Sequence, residues 1–212
     1  SPAPHEKKEQ WQEPAAGGLD EVRSQLVQAR IIGQLHQTYI LLEVPNGLWL
    51  LDQHIVHERI LLERLRRAWE KAAIHVQEII PQMLEFTPAQ TSLIQESLQQ
   101  LAEFGLELEF FGDNTFLLRA VPSALAQSAG QWKEEILEIA ETAQKTSSWR
   151  ERALITLACK GAIKAGEYLD KQMIAALMQD LAATSQPFTC PHGRPIIVRL
   201  ENKELLRRFG RT

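Results

Sequence analysis

The chain has 212 residues, 44% of them hydrophobic, and a net charge of −4 at pH 7, which is an ordinary globular composition. No apolar run reaches the roughly 18–20 residues of a membrane-spanning helix, and two cysteines cannot cross-link a domain of this size. A membrane-spanning helix and a disulfide framework are therefore excluded. With no signal-peptide pattern and no initiator Met, we expect a cytoplasmic fragment of a longer protein. The acidic balance argues against nucleic-acid binding by bulk charge.

The charge is distributed unevenly along the chain. Residues 1–80 carry a net charge of −2, residues 81–148 carry −7 and residues 149–212 carry +5. Such a shift often accompanies a change of subdomain. We therefore expect an acidic unit in the middle of the chain and a basic C-terminal third.

The first half of the chain predicts a linker, three strands and a long helix. Residues 1–20 are rich in Pro, Gly and charge and predict a disordered linker. Apolar runs at 29–36, 38–44 and 48–51 predict strands, and Pro45-Asn46-Gly47 is typical of the turn between the last two. Residues 54–73 contain no Gly or Pro and predict a helix of about five turns, with Asp52 or Gln53 near its N-cap.

The middle of the chain predicts a compact acidic unit. Residues 77–86 are extended, and Thr87-Pro88-Ala89-Gln90 is typical of a capped helix start. That helix is expected to end at Gly105 and to be followed by a hairpin, with its turn at Gly112-Asp113-Asn114, and a helix over 131–144. We interpret 81–146 as a smaller α/β subdomain inserted into the rest of the fold.

The C-terminal third predicts two helices, a loop, a strand and a short terminal helix, at residues 149–165, 169–183, 188–195, 196–200 and 202–209. Strands near both ends of the ordered chain are expected to pair in one sheet. The prediction is an α+β fold. Residues 21–80 and 147–212 would form one subdomain of mixed sheet and helices, interrupted by the insert.

The first candidate site lies at the start of the long helix. His54 and Glu58 are four residues apart and share one helix face, and Asp52 just before the helix can add an oxygen ligand. Imidazole and carboxylate suit a metal ion, although a capped helix with solvated side chains explains an isolated pair more often. Glu63 points to the opposite side, so we expect it to form an ion pair with Arg59, Arg66 or Arg67.

Three further segments are candidates with simpler alternatives. In Cys190-Pro191-His192-Gly193-Arg194-Pro195, thiolate and imidazole can both face a metal, or the cysteine is merely buried in a proline-rich turn. Ala158-Cys159-Lys160 alone is more typical of a core cysteine beside an extended lysine. Gln77-Glu78-Ile79-Ile80-Pro81 is either a docking peptide for a partner groove or an ordinary strand.

Together these segments resemble the C-terminal domain of the mismatch-repair protein MutL, in the subclass that nicks DNA. The motif of that subclass is Asp-Gln-His-Ala-x-x-Glu-x-x-x-x-Glu, which residues 52–63 match except that Ile55 replaces the alanine. The family's Ala-Cys-Arg/Lys, Cys-Pro-His-Gly-Arg-Pro and Phe-x-Arg motifs match residues 158–160, 190–195 and 209–211. The matches follow the family order across about residues 28–211, and 77–81 resembles the family's sliding-clamp peptide.

The resemblance implies a dimerisation and endonuclease subdomain with a regulatory insert, and metal-dependent hydrolysis of one strand of duplex DNA. It implies manganese for catalysis and zinc in a structural or regulatory role. The expected catalytic residues are Asp52, His54 and Glu58. The expected metal ligands are His54, Glu58, Cys190, His192 and Asp52, with Cys159 at the edge of the site. Residues expected to position ligands or backbone are Gln53, Arg194 and Arg211. Those expected to bind the clamp are Gln77, Ile79, Ile80 and Pro81.

The resemblance also implies a homodimer, and as partners duplex DNA, the replication sliding clamp, a mismatch-recognition protein and an N-terminal ATPase domain. It implies no membrane and a cytoplasmic, nucleoid-associated location. Because the middle of the chain is acidic, we expect weak DNA binding by this chain alone. The main alternative is a non-enzymatic dimerisation and docking module with a structural zinc, against which the motif at 52–63 argues. A transcription or signalling domain with a regulatory metal has no comparable motif support.

Overall fold

The computed structural model describes residues 17–126, 132–190 and 192–211. In chain order the elements are α1 (Gly17–Gln28), β1 (Arg30–Leu35), β2 (Tyr39–Val44), β3 (Gly47–Asp52), α2 (Gln53–Glu70), β4 (Val76–Glu85), α3 (Pro88–Glu96), α4 (Leu98–Glu103), β5 (Glu107–Gly112), β6 (Thr115–Pro122), α5 (Lys133–Lys145), α6 (Trp149–Gly161), α7 (Lys171–Ala182), β7 (Ile197–Glu201) and α8 (Asn202–Arg208). The predicted α+β class is confirmed. No helix in these described ranges is long and apolar enough to cross a membrane.

The described chain divides into two compact units. The division falls between Asp52 and Gln53 and again between Glu167 and Tyr168. We call the part outside these points the first unit and the continuous segment 53–167 the second unit. Most of the predicted linker at 1–20 lies outside the described residues, and its last residues belong to α1. The inserted subdomain at 81–146 stays a prediction.

The first unit contains a four-stranded antiparallel sheet in the order β1-β2-β3-β7. Strands from the two ends of the chain meet where Leu51 pairs with Ile197, as the sequence predicts. Gly47 starts β3 with φ of +153°, and an added Cβ would lie 2.1 Å from the carbonyl oxygen of Leu200. Only glycine therefore lets β3 and β7 approach this closely at the end of their pairing.

The two faces of this sheet differ. Alternate residues of β2 and β3, including Ile40, Leu42 and Leu51, are fully buried on one face, as the period of two predicts. On the other face, the register places Leu41, Leu50 and Val198 in one row across three strands. Val198 is 54% exposed. We call this second face the outer sheet face, and in the described chain it presents apolar side chains to solvent.

The second unit has its own sheet, in the order β4-β6-β5, and one hydrophobic core. Helices α2, α5 and α6 contribute to this core together with the inward side chains of the sheet. Phe104 is central, stacking on Trp69 and meeting Trp149 edge to face. The capping box predicted at Thr87 is present, with reciprocal bonds between Thr87 and Gln90.

Three helical regions differ from the predictions by more than three residues. The sequence gives no helix before β1, yet α1 forms, with Val22 and Leu26 buried one turn apart. The helix expected to run to Gly105 is interrupted at Ser97, whose N–H bonds the carbonyl three rather than four residues back. Helix α6 ends at Gly161 rather than at 165, because Ala162 adopts extended dihedrals.

Candidate metal centre

The first turns of α2 carry the predicted ligands of the second unit. His54 and Glu58 lie one turn apart on this helix, which packs against α6. Glu58 has no solvent exposure, and its Oε1 accepts a hydrogen bond from the Sγ of Cys159 on α6, at 2.7 Å. Carboxylates are retained in such burial where they are paired or bind a metal ion. The structure therefore brings Glu58 and Cys159, which are 101 residues apart in sequence, into direct contact.

The thiol of Cys159 is held in its protonated form. Burial, followed by the hydrogen bond to Glu58 and the charge of that carboxylate, raises its pKa from 9.0 to about 12. Lys164 opposes the rise but does not cancel it. At neutral pH the pair therefore consists of a thiol that donates and a carboxylate that accepts. A metal ion bound by this sulfur would have to displace the proton.

His54 and Gln53 both hold the irregular segment that follows α6. The carbonyl of Ile163 lies 2.9 Å from the Nδ1 of His54. The fully buried side-chain amide of Gln53 donates to the carbonyls of Lys164 and Glu167, at 2.9 and 3.1 Å. The first turn of α2 thus fixes this segment by side-chain contacts.

In the first unit, Cys190 lies in a tight loop. Its Sγ accepts hydrogen bonds from the backbone N–H groups of His192 and Arg194, at 3.3 and 3.2 Å. The loop is closed by the bond from the Cys190 N–H to the Arg194 carbonyl, and Gly193 adopts φ of +77°. Backbone N–H groups directed at a sulfur are the typical surroundings of a metal-bound thiolate. Pro191 lies outside the described residues.

The remaining predicted residues occupy different positions. Asp52 ends β3, opposite Tyr39 in the adjacent strand, and is half-buried. The side chains of His192, Arg194 and Arg211 are exposed. Glu63 is buried and accepts from Arg67 at 2.6 Å, which is the ion pair within α2 that the sequence predicts.

The donor types fit the metals that the family resemblance implies. The second unit supplies a carboxylate, an imidazole and a thiol, and the Cys190 loop supplies a sulfur and an imidazole. Thiolate and imidazole suit zinc, whereas carboxylate oxygens with imidazole suit manganese. The predicted roles of these residues as ligands stay predictions.

The sequence gives no sign of the residues that contact His54 and Gln53 after α6. Ile163, Lys164 and Glu167 belong to no motif, and they take part mainly through backbone groups. His57 also went unnoticed, although the N–H of Ile163 donates to its Nδ1 at 3.0 Å. Its spacing of three residues from His54 was the only available signal, because side chains three apart share a helix face.

The predicted clamp peptide lies on an edge strand of the second unit. Among the described strands, β4 pairs with β6 alone, and the register is interrupted between Glu78 and Gln82, so that residues 79–81 bulge from the ladder. Ile80 in this bulge is 90% exposed, whereas Ile79 packs against the core. An exposed apolar side chain on a sheet edge is a common place for a partner chain to bind.

Comparison with known proteins gives consistent matches. A family model described as the MutL C terminal dimerisation domain matches residues 32–169. The DNA mismatch repair protein MutL of Symbiobacterium thermophilum is 42% identical over 190 residues, covering 86% of this chain and 30% of that protein. Those of Lactiplantibacillus plantarum and Exiguobacterium sp. are 37% and 40% identical, covering 87% and 86% of this chain and 28% and 31% of each relative. The chain therefore spans about 30% of the length of the curated relatives it matches.

Proposed function

The chain belongs to the family of MutL C terminal dimerisation domains, and from this premise we propose that it dimerises and nicks one strand of duplex DNA in mismatch repair. The observation that carries the enzymatic part is Glu58. This carboxylate has no solvent exposure, contacts a thiol and lies one helical turn from an imidazole. A solvated helix face, which is the simpler explanation of a His-x-x-x-Glu pattern, does not bury its glutamate.

The metals would be held by the donors already described. His54 and Glu58, with Asp52, would offer nitrogen and oxygen donors that suit manganese, and Cys190 and His192 would offer sulfur and nitrogen donors that suit zinc. Cys159, beside Glu58, would add a second sulfur. A bound metal supplies an activated water and neutralises charge on the phosphoryl oxygens. The chain's own contribution is to orient His54 through Ile163 and to keep the Glu58 carboxylate away from bulk water.

The proposed dimer forms through the outer sheet face, with a second copy of this chain as the partner. The row of Leu41, Leu50 and Val198 gives three strands a shared apolar surface, and the family model is that of a dimerisation domain. A symmetric dimer brings the same patch of both copies together, so an apolar row matches itself. Covering such a face removes apolar area from water, which favours association.

The charge distribution supports weak DNA binding by the basic C-terminal segment and a need for partners. The segment 194–211 contains five arginines and one lysine, whereas residues 81–148 carry −7 and repel phosphate. We propose that the basic segment contacts DNA weakly and that partners raise the local concentration of DNA. The partners are the replication sliding clamp, bound through the bulge at 79–81 with Gln77, a mismatch-recognition protein and an N-terminal ATPase domain.

The test is nicking of supercoiled plasmid DNA with manganese. Glu58→Ala should abolish nicking, and Glu58→Gln should do the same while keeping an acceptor for the Cys159 thiol. The matched control is Glu70→Gln, because Glu70 lies on the same helix but is exposed. Retained activity in the Glu58 variants would reject the catalytic assignment.

Two further experiments test the proposed clamp contact and the alternative of a non-enzymatic docking module. With the sliding clamp present, replacing Gln77 and Ile80 by Ala should remove the additional nicking that the clamp causes. Ile80 is preferred to Ile79 because Ile79 packs on the core and its loss would destabilise the fold. A wild-type protein that binds one zinc ion tightly and never nicks would instead identify a non-enzymatic docking module, which the N–H bonds to the Cys190 sulfur also suit.

A further inference from the structure

The backbone of one residue, Ile163, connects two histidines of α2. The carbonyl of Ile163 lies 2.9 Å from the Nδ1 of His54, and the N–H of the same residue points to the Nδ1 of His57, at 3.0 Å. A carbonyl oxygen only accepts and a backbone N–H only donates. His54 must therefore carry its proton on Nδ1, and His57 must be unprotonated at Nδ1 and, as a neutral ring, carry its proton on Nε2.

The two rings thus have opposite tautomers although they look equivalent in the sequence. Their spacing of three residues would allow both imidazoles to bind one metal ion. In the neutral tautomers, however, the Nε2 of His54 has a lone pair for a metal, whereas the Nε2 of His57 has a hydrogen. The two backbone groups of Ile163 therefore distinguish the two histidines.

We propose that His57 is a positioning residue, which holds the backbone of Ile163 so that the carbonyl of Ile163 orients His54 as a metal ligand, and that His57 is not itself a ligand. This inference rests on the metal-dependent function proposed above. It adds a residue that lies at an unspecified position of the motif at 52–63. Metal-binding histidines commonly donate their other ring nitrogen to a carbonyl, and loss of such a partner weakens metal binding roughly 10–100-fold.

The local structure explains why Ile163 needs this support. Helix α6 ends at Gly161, and residues 162–164 have no regular secondary structure. Their backbone groups cannot rely on a helix or a sheet ladder, so side chains of α2 supply the hydrogen bonds. Gln53 fixes the next part of the segment, at Lys164 and Glu167. His57 is the residue of α2 whose ring accepts the Ile163 N–H.

The test variants at position 57 either keep or remove the atom that accepts the Ile163 N–H. Asn at position 57 can place its Oδ1 near the site of the imidazole Nδ1, whereas Leu removes the acceptor. By calorimetric titration with Mn²⁺, His57→Leu should weaken metal binding about 10–100-fold and His57→Asn should restore most of the affinity. His54→Ala should lose more than either. Circular dichroism verifies folding. If His57→Leu unfolds, His57→Gln replaces it as the variant without an acceptor at this position. The Oε1 of glutamine lies one bond farther from the backbone than the Nδ1 of histidine.

A metal-free measurement separates this inference from the proposed function. Long-range ¹H–¹⁵N NMR of the histidine rings should show the Nδ1–H tautomer for His54 and the Nε2–H tautomer for His57. Amide exchange at Ile163 should be faster in His57→Leu than in His57→Asn. If the tautomers are as expected but the wild type binds no metal, the proposed function fails while the hydrogen-bond network stands.

Three results would overturn the inference. The first is the same tautomer for both rings. The second is loss of metal in His57→Asn as complete as in His54→Ala, which would make His57 a ligand. The third is wild-type metal affinity in His57→Leu, which would reduce His57 to a packing residue.

Discussion

The thiolate fraction of Cys159 should differ from that of an ordinary cysteine by about three orders of magnitude. Burial, followed by the hydrogen bond to Glu58, raises the pKa of this thiol from 9.0 to about 12. Since one pH unit changes the thiolate fraction tenfold, Cys159 should hold roughly 1,000-fold less thiolate at any pH below 9. Alkylating reagents attack the thiolate, so the metal-free protein should react correspondingly slowly at this residue.

The assay is the pH profile of iodoacetamide labelling, followed peptide by peptide with mass spectrometry so that Cys159 and Cys190 are resolved. Limited access slows labelling equally at every pH, so the shape of the profile reports the pKa. The rate should rise about tenfold per pH unit up to pH 10.5 without a plateau. Glu58→Gln keeps an acceptor for the thiol but removes the negative charge that raises its pKa. The labelling rate of this variant should therefore level off at a lower pH than that of the wild type. A wild-type plateau near pH 9 would refute the reasoning.

The same thiol links metal binding and stability to pH. If Cys159 binds zinc as a thiolate, binding releases its proton, so zinc affinity should rise with pH and zinc should block labelling. Because the folded pKa lies above the unfolded one, the thiol stabilises the fold fully below about pH 9. This contribution is lost as the pH rises towards 12. In urea unfolding, Cys159→Ala should therefore lose less stability between pH 9 and 11 than the wild type.

Two structural predictions concern the first unit. Gly47→Ala should lower the free energy of unfolding by about 3 kcal/mol, roughly 6–12 °C in Tm, because its Cβ would meet the Leu200 carbonyl. Gly33→Ala, at a similar φ but with no atom within 4 Å, is the control, and equal losses would contradict the steric reason. In analytical ultracentrifugation, Val198→Asp should convert the dimer to a monomer. Val27→Asp, at an equal exposure of 54%, should leave it a dimer, and a dimeric Val198→Asp would reject the proposed interface.

Local signals accounted for most of the fold. The turn at Pro45-Asn46-Gly47, the capping box at Thr87 and the alternation of apolar residues in β2 each depend on neighbours within a few positions. Such features can be read from short windows of sequence. Boundaries were harder to predict. The end of α6 at Gly161 depends on how the next residues are held, and those contacts come from α2.

The ligand environment could not be predicted because its contacts are distant in sequence and largely involve the backbone. His54 meets a carbonyl 109 residues away, and any residue at position 163 would present the same group. A sequence motif reflects the side chains that the chemistry requires. A backbone carbonyl is present in every residue, so its role as an acceptor does not constrain the residue type. His57 shows the consequence. As a side chain it resembles a second ligand, and only the peptide N–H that it accepts assigns it a different role. For the proposed metal site, the sequence therefore identifies the candidate donors, and the hydrogen bonds to their ring nitrogens decide which of them can bind a metal ion.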